Sequence, residues 1–143
     1  MSAPSVMIVL PTLGHRTETL ELALASCDAL VGALSATVYL VAPASATGAR
    51  ALGVASGATI VDDPEAGMAE AINAALEADG EHTYYVWLGD DDLLVSEGIS
   101  RAVAALDEDS HAVVAYGHCD YMDAQGNSLA LNRAGKLARF VLP

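Results

Sequence analysis

The sequence predicts an α/β protein, a mostly parallel sheet flanked by helices. Three observations predict it. Short apolar runs alternate with longer amphipathic stretches along most of the chain, the pattern of successive βα units. The runs are continuously apolar where they are clearest, as strands covered on both faces require. Polar and acidic residues gather just after them, and in such sheets ligands bind outside the carboxyl ends of the strands.

Val6-Met7-Ile8-Val9-Leu10, bounded by Pro11, reads as a central strand. After the turn Pro11-Thr12-Leu13-Gly14, Thr17 is expected to cap a helix, with Glu18 and Glu21 near its positive end and Leu20, Leu24, Cys27, Val31 and Leu34 as its buried stripe. Residues 37–41 read as the second strand, and 46–56 as a small-residue helix weakened by Gly48 and Gly53. Residues 58–61 form a third strand, closed by Asp62-Asp63-Pro64. A helix that follows Glu65-Ala66-Gly67 and runs to about residue 78 places Met68, Ile72, Ala75 and Leu76 inward and ends at Gly80. Residues 84–88 read as a buried strand containing a core Trp87. Ser96 is expected to cap the next helix, with Ile99, Val103 and Leu106 inward. Residues 112–116 read as a fifth strand, and Ala124-Gln125-Gly126-Asn127 as the turn of a hairpin.

Composition narrows the function. With 143 residues, 53% hydrophobic and 17% charged, the chain is of globular type and of single-domain size. A net charge of −13, with only six Lys and Arg, offers no basic footprint for nucleic acid or an anionic membrane surface. A phosphate-bearing ligand would need a metal bridge or local backbone N–H groups. Cys27 and Cys119 stand far apart in apolar surroundings, where buried free thiols are expected. No stretch reads as a membrane span or secretory leader, so a cytoplasmic protein is expected. The four histidines show no ligand-like spacing and read as surface or packed residues.

The sharpest local feature is Trp87-Leu88-Gly89-Asp90-Asp91-Asp92. Three adjacent carboxylates repel one another unless a cation relieves them. Oxygen donors at a strand end suit Mg²⁺ or Mn²⁺, above all an ion shared with a phosphate. The plain alternative is a solvated acidic turn leading into the next helix.

The ordered set of segments resembles the family 2 glycosyltransferases of GT-A fold. Residues 6–12 resemble their opening strand. Gly67-Met68-Ala69-Glu70-Ala71-Ile72-Asn73 is similar to their Gly-x-x-x-Ala-x-Asn helix start, and Asp90-Asp91-Asp92 to their DXD motif. Residues 116–127 resemble the segment after their fifth strand.

The resemblance implies a nucleotide-diphosphate-sugar site, for a UDP-, GDP- or dTDP-linked donor and an unspecified acceptor. Pro11 and Thr12 would line the base pocket, with Asp62 or Asp63 near base or ribose. Gly67, Ala71 and Asn73 would shape the floor, Asp90 and Asp91 would contact the nucleotide, and Asp90 and Asp92 would hold Mn²⁺ or Mg²⁺.

Two departures stand beside this. The turn Ala42-Pro43-Ala44-Ser45 lacks the acidic residue the family commonly uses on the base. Residues 1–131 would form the nucleotide-sugar-binding domain, and the basic tail 132–143 the start of a missing acceptor-binding half that carries the usual catalytic base. Asp120 and Asp123 are the last carboxylates in the sequence. Such a truncated domain would expose an apolar face, and a homodimer is expected. The alternative is a non-catalytic module that keeps the fold and binds nucleotide or metal, or serves in assembly. A sugar nucleotidyltransferase ranks third, because the turn after the first strand has one Gly and one Arg where those enzymes carry a Gly-rich, basic loop.

Overall fold

The structure, a computed structural model, describes residues 4–79 and 81–133. The chain divides into two compact units, Met1–Ser100 and Arg101–Pro143.

In the first unit β1 (Ser5–Pro11), β2 (Ser35–Ala42), β3 (Thr59–Asp62) and β4 (Tyr84–Trp87) form one sheet in the order β3-β2-β1-β4. Every pairing is parallel. α1 (Thr17–Ala33), α2 (Thr47–Ala55) and α3 (Met68–Ala78) are the crossovers. The chain steps outward from β1 to β3, then returns to place β4 on the other side of β1. Such a reversal leaves a crevice at the carboxyl ends of the two strands flanking it, here β1 and β4.

β1 is buried on both faces, which is why its apolar run is continuous. Met7, Val9, Tyr39 and Val41 pack against Ala71 and Ala75 of α3, with Ile72 and Leu76 partly buried beside them. Ile8 and Leu10 pair with Val38 and Leu40, so they share the opposite face. That face receives α2, whose Gly53 lies close to Leu40 and Ile60. α1 meets α2 and β2, and buries Leu20, Ala23, Leu24, Cys27 and Leu30.

Several sequence expectations are corrected. Arg16, not Thr17, is the N-cap residue of α1, and it makes no side-chain cap bond. Val31 is exposed, because Leu30 completes the inward row three residues after Cys27. Met68 is exposed as well, since it opens α3 before the helix's inward positions Ala71 and Ala75. β4 is an edge strand among the described residues and not a buried one, and Trp87 is 51% exposed. Cys27 is buried but Cys119 is exposed. Gly80 lies outside the described residues.

α4 (Ser96–Glu108) runs across the boundary between the units, with Val103 buried. In the second unit β5 (Cys119–Met122) and β6 (Ser128–Asn132) pair antiparallel, with a register shift between Tyr121 and Met122. The hairpin is therefore present around the turn that the sequence marks. Residues 112–116 are not a strand: Val113 is 90% exposed and Val114 is exposed too, and the run joins no ladder among the described residues. The tail residues Lys136 and Arg139 lie outside the described residues.

Candidate functional site

A cleft of about 440 Å³ opens at the β1–β4 crevice. Its walls are Pro11, Thr12, Leu13, His15 and Arg16 after β1, Pro43 after β2, and Asp63 and Glu65 after β3. Gly67, Met68 and Ala71 from the start of α3, and Gly89, Asp90 and Asp91 after β4, complete it.

The loop after β1 is built for close approach. Gly14 has φ +80° and sits so near α2 that a Cβ would lie 2.6 Å from the Ala46 Cβ. Both facts require glycine. The Gly14 N–H donates to Thr12 Oγ1 at 3.0 Å, and the Thr12 N–H donates to the Val41 carbonyl at 2.9 Å. Thr12 is thus buried and held from two sides.

Its hydroxyl donates to Asp90 Oδ2 at 2.6 Å, in the range of a strong charge-assisted bond. The second Asp90 oxygen accepts from Arg16 Nη2 at 2.8 Å. Asp90 is only 6% exposed, so each of its oxygens needs such a partner. Nη1 of the same guanidinium contacts the Asp91 carboxylate. One arginine therefore spans two of the three adjacent acids. Gly89 makes room for the cluster, since a Cβ there would lie 2.7 Å from Asp92 Oδ2. The repulsion between Asp90 and Asp91 is relieved by Arg16, with Thr12 holding Asp90 in place, both brought there from the loop after β1.

The β3 side is organised separately. Arg50 Nη1 donates to the Ala42 carbonyl at 3.0 Å and to Asp62 Oδ1 at 2.8 Å, which ties Asp62 to α2. Asp63 turns the chain instead: its Oδ1 accepts from the Glu65 N–H at 2.8 Å, and Glu65 takes φ +58°. Gly67, with φ +107°, then starts α3 as its N-cap. The N-terminal ends of α1 and α3, where helix dipoles are positive, both border the cleft.

Of the residues expected from sequence, Pro11, Thr12, Asp63, Gly67, Ala71, Asp90 and Asp91 line one cleft. Asp62 faces Arg50, Asn73 is exposed on α3, and Asp92 is exposed beside Gly89; none of the three is a wall residue. Arg16, His15, Glu65 and Pro43 are wall residues that sequence reasoning passed over. Arg16 had a signal: it is the cation nearest the end of the first strand, in a chain with very few.

Among the described residues, no three His, Cys, Asp or Glu side chains form a group that could hold a metal by themselves. The donors are still of the right kind. Asp90, Asp91 and Asp92 supply hard oxygens, and an ion such as Mg²⁺ commonly takes one or two carboxylates and fills its shell from phosphate and water. As they stand, both Asp90 oxygens are taken by Thr12 and Arg16 and the Asp91 carboxylate faces Arg16, so the described residues do not by themselves make a metal site.

Outside the cleft, Asp79 accepts from the Tyr39 hydroxyl at 3.0 Å and pairs with His82 Nδ1 at 2.5 Å. Burial would raise the Asp79 pKa, but together the bonds from His82 and Tyr39 hold it below the ordinary carboxylate value. Burial first, and then the bond to Asp79, pushes the Tyr39 phenol up. This knot ties β2 to the end of α3 and the start of β4, at the end of the sheet away from the cleft.

No family model matches the chain, and no curated protein matches it. What the fold and the crevice define is an α/β protein with a parallel four-stranded sheet, compatible with a Rossmann-like fold. No helix among the described residues is long and apolar enough to cross a membrane.

Proposed function

We propose that the cleft binds a nucleotide-diphosphate sugar, as the donor site of a GT-A-like, family 2-type glycosyltransferase. The observation that carries this reading is the Thr12–Asp90–Arg16 constellation in the crevice between β1 and β4. It joins a buried acceptor, a half-exposed cation and two helix N-terminal ends in a chain whose overall charge would repel phosphate. Pro11, Leu13, Pro43 and Met68 give the cleft apolar walls for a base, while Asp63 and Glu65 offer acceptors for ribose or base.

Asp90 and Asp92 would hold Mn²⁺ or Mg²⁺ together with the diphosphate. When bound, the ion would supply Lewis-acid stabilisation of charge growing on the leaving diphosphate. The protein's own part is to orient the donor: Thr12 fixes the Asp90 carboxylate, and Arg16 supplies a cation at the cleft wall.

A second reading, a binding module without transfer activity, is favoured by a specific observation. A general base needs a free carboxylate near the acceptor. Asp123 instead accepts from the Asn127 side chain at 3.0 Å and from the Asn127 and Gln125 N–H groups at 2.8 and 2.9 Å. The bonds from Asn127 hold its pKa below the ordinary value. Asp120 accepts from the Ser128 hydroxyl at 2.6 Å. Both carboxylates serve the hairpin.

Calorimetric titration of UDP, GDP and dTDP, with and without Mn²⁺, on the wild type and on Asp92→Asn tests the donor site. Metal-dependent binding of one nucleotide, lost in the variant, is the expected result. No binding to the wild type under any condition would remove the donor-site reading and leave the module.

A further inference from the structure

We infer that Glu65 sets the specificity of the cleft: its carboxylate takes a pair of adjacent N–H or O–H donors on the ligand's nucleoside, and the chain keeps a strained backbone there to hold it. The inference rests on the donor-site reading above. Among the described residues with positive φ, Gly14, Gly57, Gly67 and Gly126 are glycines. Glu65, at φ +58°, is the exception. In the left-handed region a Cβ crowds the backbone carbonyl, and only glycine escapes that penalty. The turn itself does not account for the exception. Asp63 Oδ1 accepts from the Glu65 N–H at 2.8 Å, a bond that glycine would donate equally well. What glycine would remove is the side chain, and Glu65 is a wall residue of the cleft.

The neighbouring acids have other tasks. Asp62 is paired with Arg50, and Asp63 closes the turn. Glu65 has neither task and is exposed at the cleft. An ionised carboxylate accepts hydrogen bonds and donates none, so it repels phosphate and selects N–H and O–H groups. Its place in the sheet agrees with that division. Glu65 follows β3, whereas Arg16 follows β1 and Asp90 follows β4; from β3 to β4 is three strand spacings, about 14 Å. A ligand lying across the cleft would point its phosphates away from Glu65 and its nucleoside toward it. Adjacent donors that a carboxylate can accept at two points occur on a ribose diol and on the N–H and amino edge of guanine. Thymidine has neither.

The test compares wild type with Glu65→Gly, Glu65→Ala and Glu65→Gln. Each is followed by thermal unfolding and by calorimetric titration of GDP, UDP, their deoxyribose forms and dTDP, with and without Mn²⁺. Glu65→Gly should raise Tm by about 2 °C because it relieves the backbone, while Glu65→Ala, which keeps a Cβ, should not. Both should bind the preferred nucleotide roughly tenfold more weakly than wild type, as loss of hydrogen bonds to a charged acceptor gives. Glu65→Gln should lose affinity as well, although removing one negative charge from a chain of net charge −13 favours an anionic ligand. A ribose contact shows as a wild-type preference for ribose over deoxyribose that vanishes in Glu65→Gly. A guanine contact shows as an equal loss for both forms of GDP and none for UDP. Preference for dTDP, or affinities that the substitutions leave unchanged, would overturn the inference and leave the donor site standing. No rise in Tm for Glu65→Gly would overturn it too, since no strain would then be held. If wild type binds no nucleotide, the donor-site reading fails and the inference falls with it.

Discussion

Thr12 shows how one side chain can hold a site. Its hydroxyl supplies the donor to one oxygen of a carboxylate that water barely reaches. Thr12→Val keeps the shape but leaves that oxygen without a partner, at a cost of about 1–3 kcal/mol. Thr12→Ser keeps the hydroxyl and loses one methyl, worth about 1 kcal/mol or less. Urea denaturation should show the larger fall in midpoint for valine, with the slope unchanged. Equal losses would mean that the methyl contact, and not the hydrogen bond, is what matters at this position. Thr12 and Asp90 each mark a strand end in the sequence, so both were legible as site residues. Their bond was not, because it joins positions 78 residues apart.

At the scale of the elements, two glycines in α2 look alike in sequence and differ in structure. A Cβ at Gly48 would meet only the Thr17 methyl, at 3.8 Å. A Cβ at Gly53 would fall 2.5 Å from Leu40 Cδ2 and 2.7 Å from Ile60 Cδ1. Gly48→Ala should therefore stabilise the protein by about 0.5 kcal/mol through helix propensity. Gly53→Ala gains the same propensity but overpacks the core, and should destabilise it by about 1 kcal/mol net. Thermal unfolding of both variants would show Tm moving in opposite directions; a rise in both would mean that α2 can move off the sheet without loss. Reading both glycines as helix weakeners is right for propensity and misses that Gly53 lets α2 approach β2 and β3. The same limit applies to residues 112–116: an apolar run is necessary for an inner strand, but a partner edge makes it one, and these residues have none among the described residues.

For the whole molecule, the exposed apolar surface is the feature with consequences. Tyr85, Trp87, Leu93 and Val95 are exposed in and just after β4, whose outer edge has no strand partner among the described residues. An unpaired edge with aromatic neighbours is prone to association. We propose that the chain self-associates through this region. Light scattering should give a mass above 14.6 kDa that Trp87→Glu lowers toward that of the single chain. A monomer at every concentration would count against it.

What the sequence determined by itself is what depends on local pattern: the alternation of strands and helices, the continuous burial of β1, the hairpin turn, and the acids placed after β4. Apolar periodicity and turn chemistry act over a few residues, and they can be read there. What only the tertiary structure decided is who meets whom. The return of the chain to the far side of β1 brought Arg16 and Thr12 onto Asp90 and left Trp87 on an edge, while the packing of α2 beside β3 set Arg50 against Asp62. Strand order is set by packing energies summed over the sheet, and no segment carries that sum within itself.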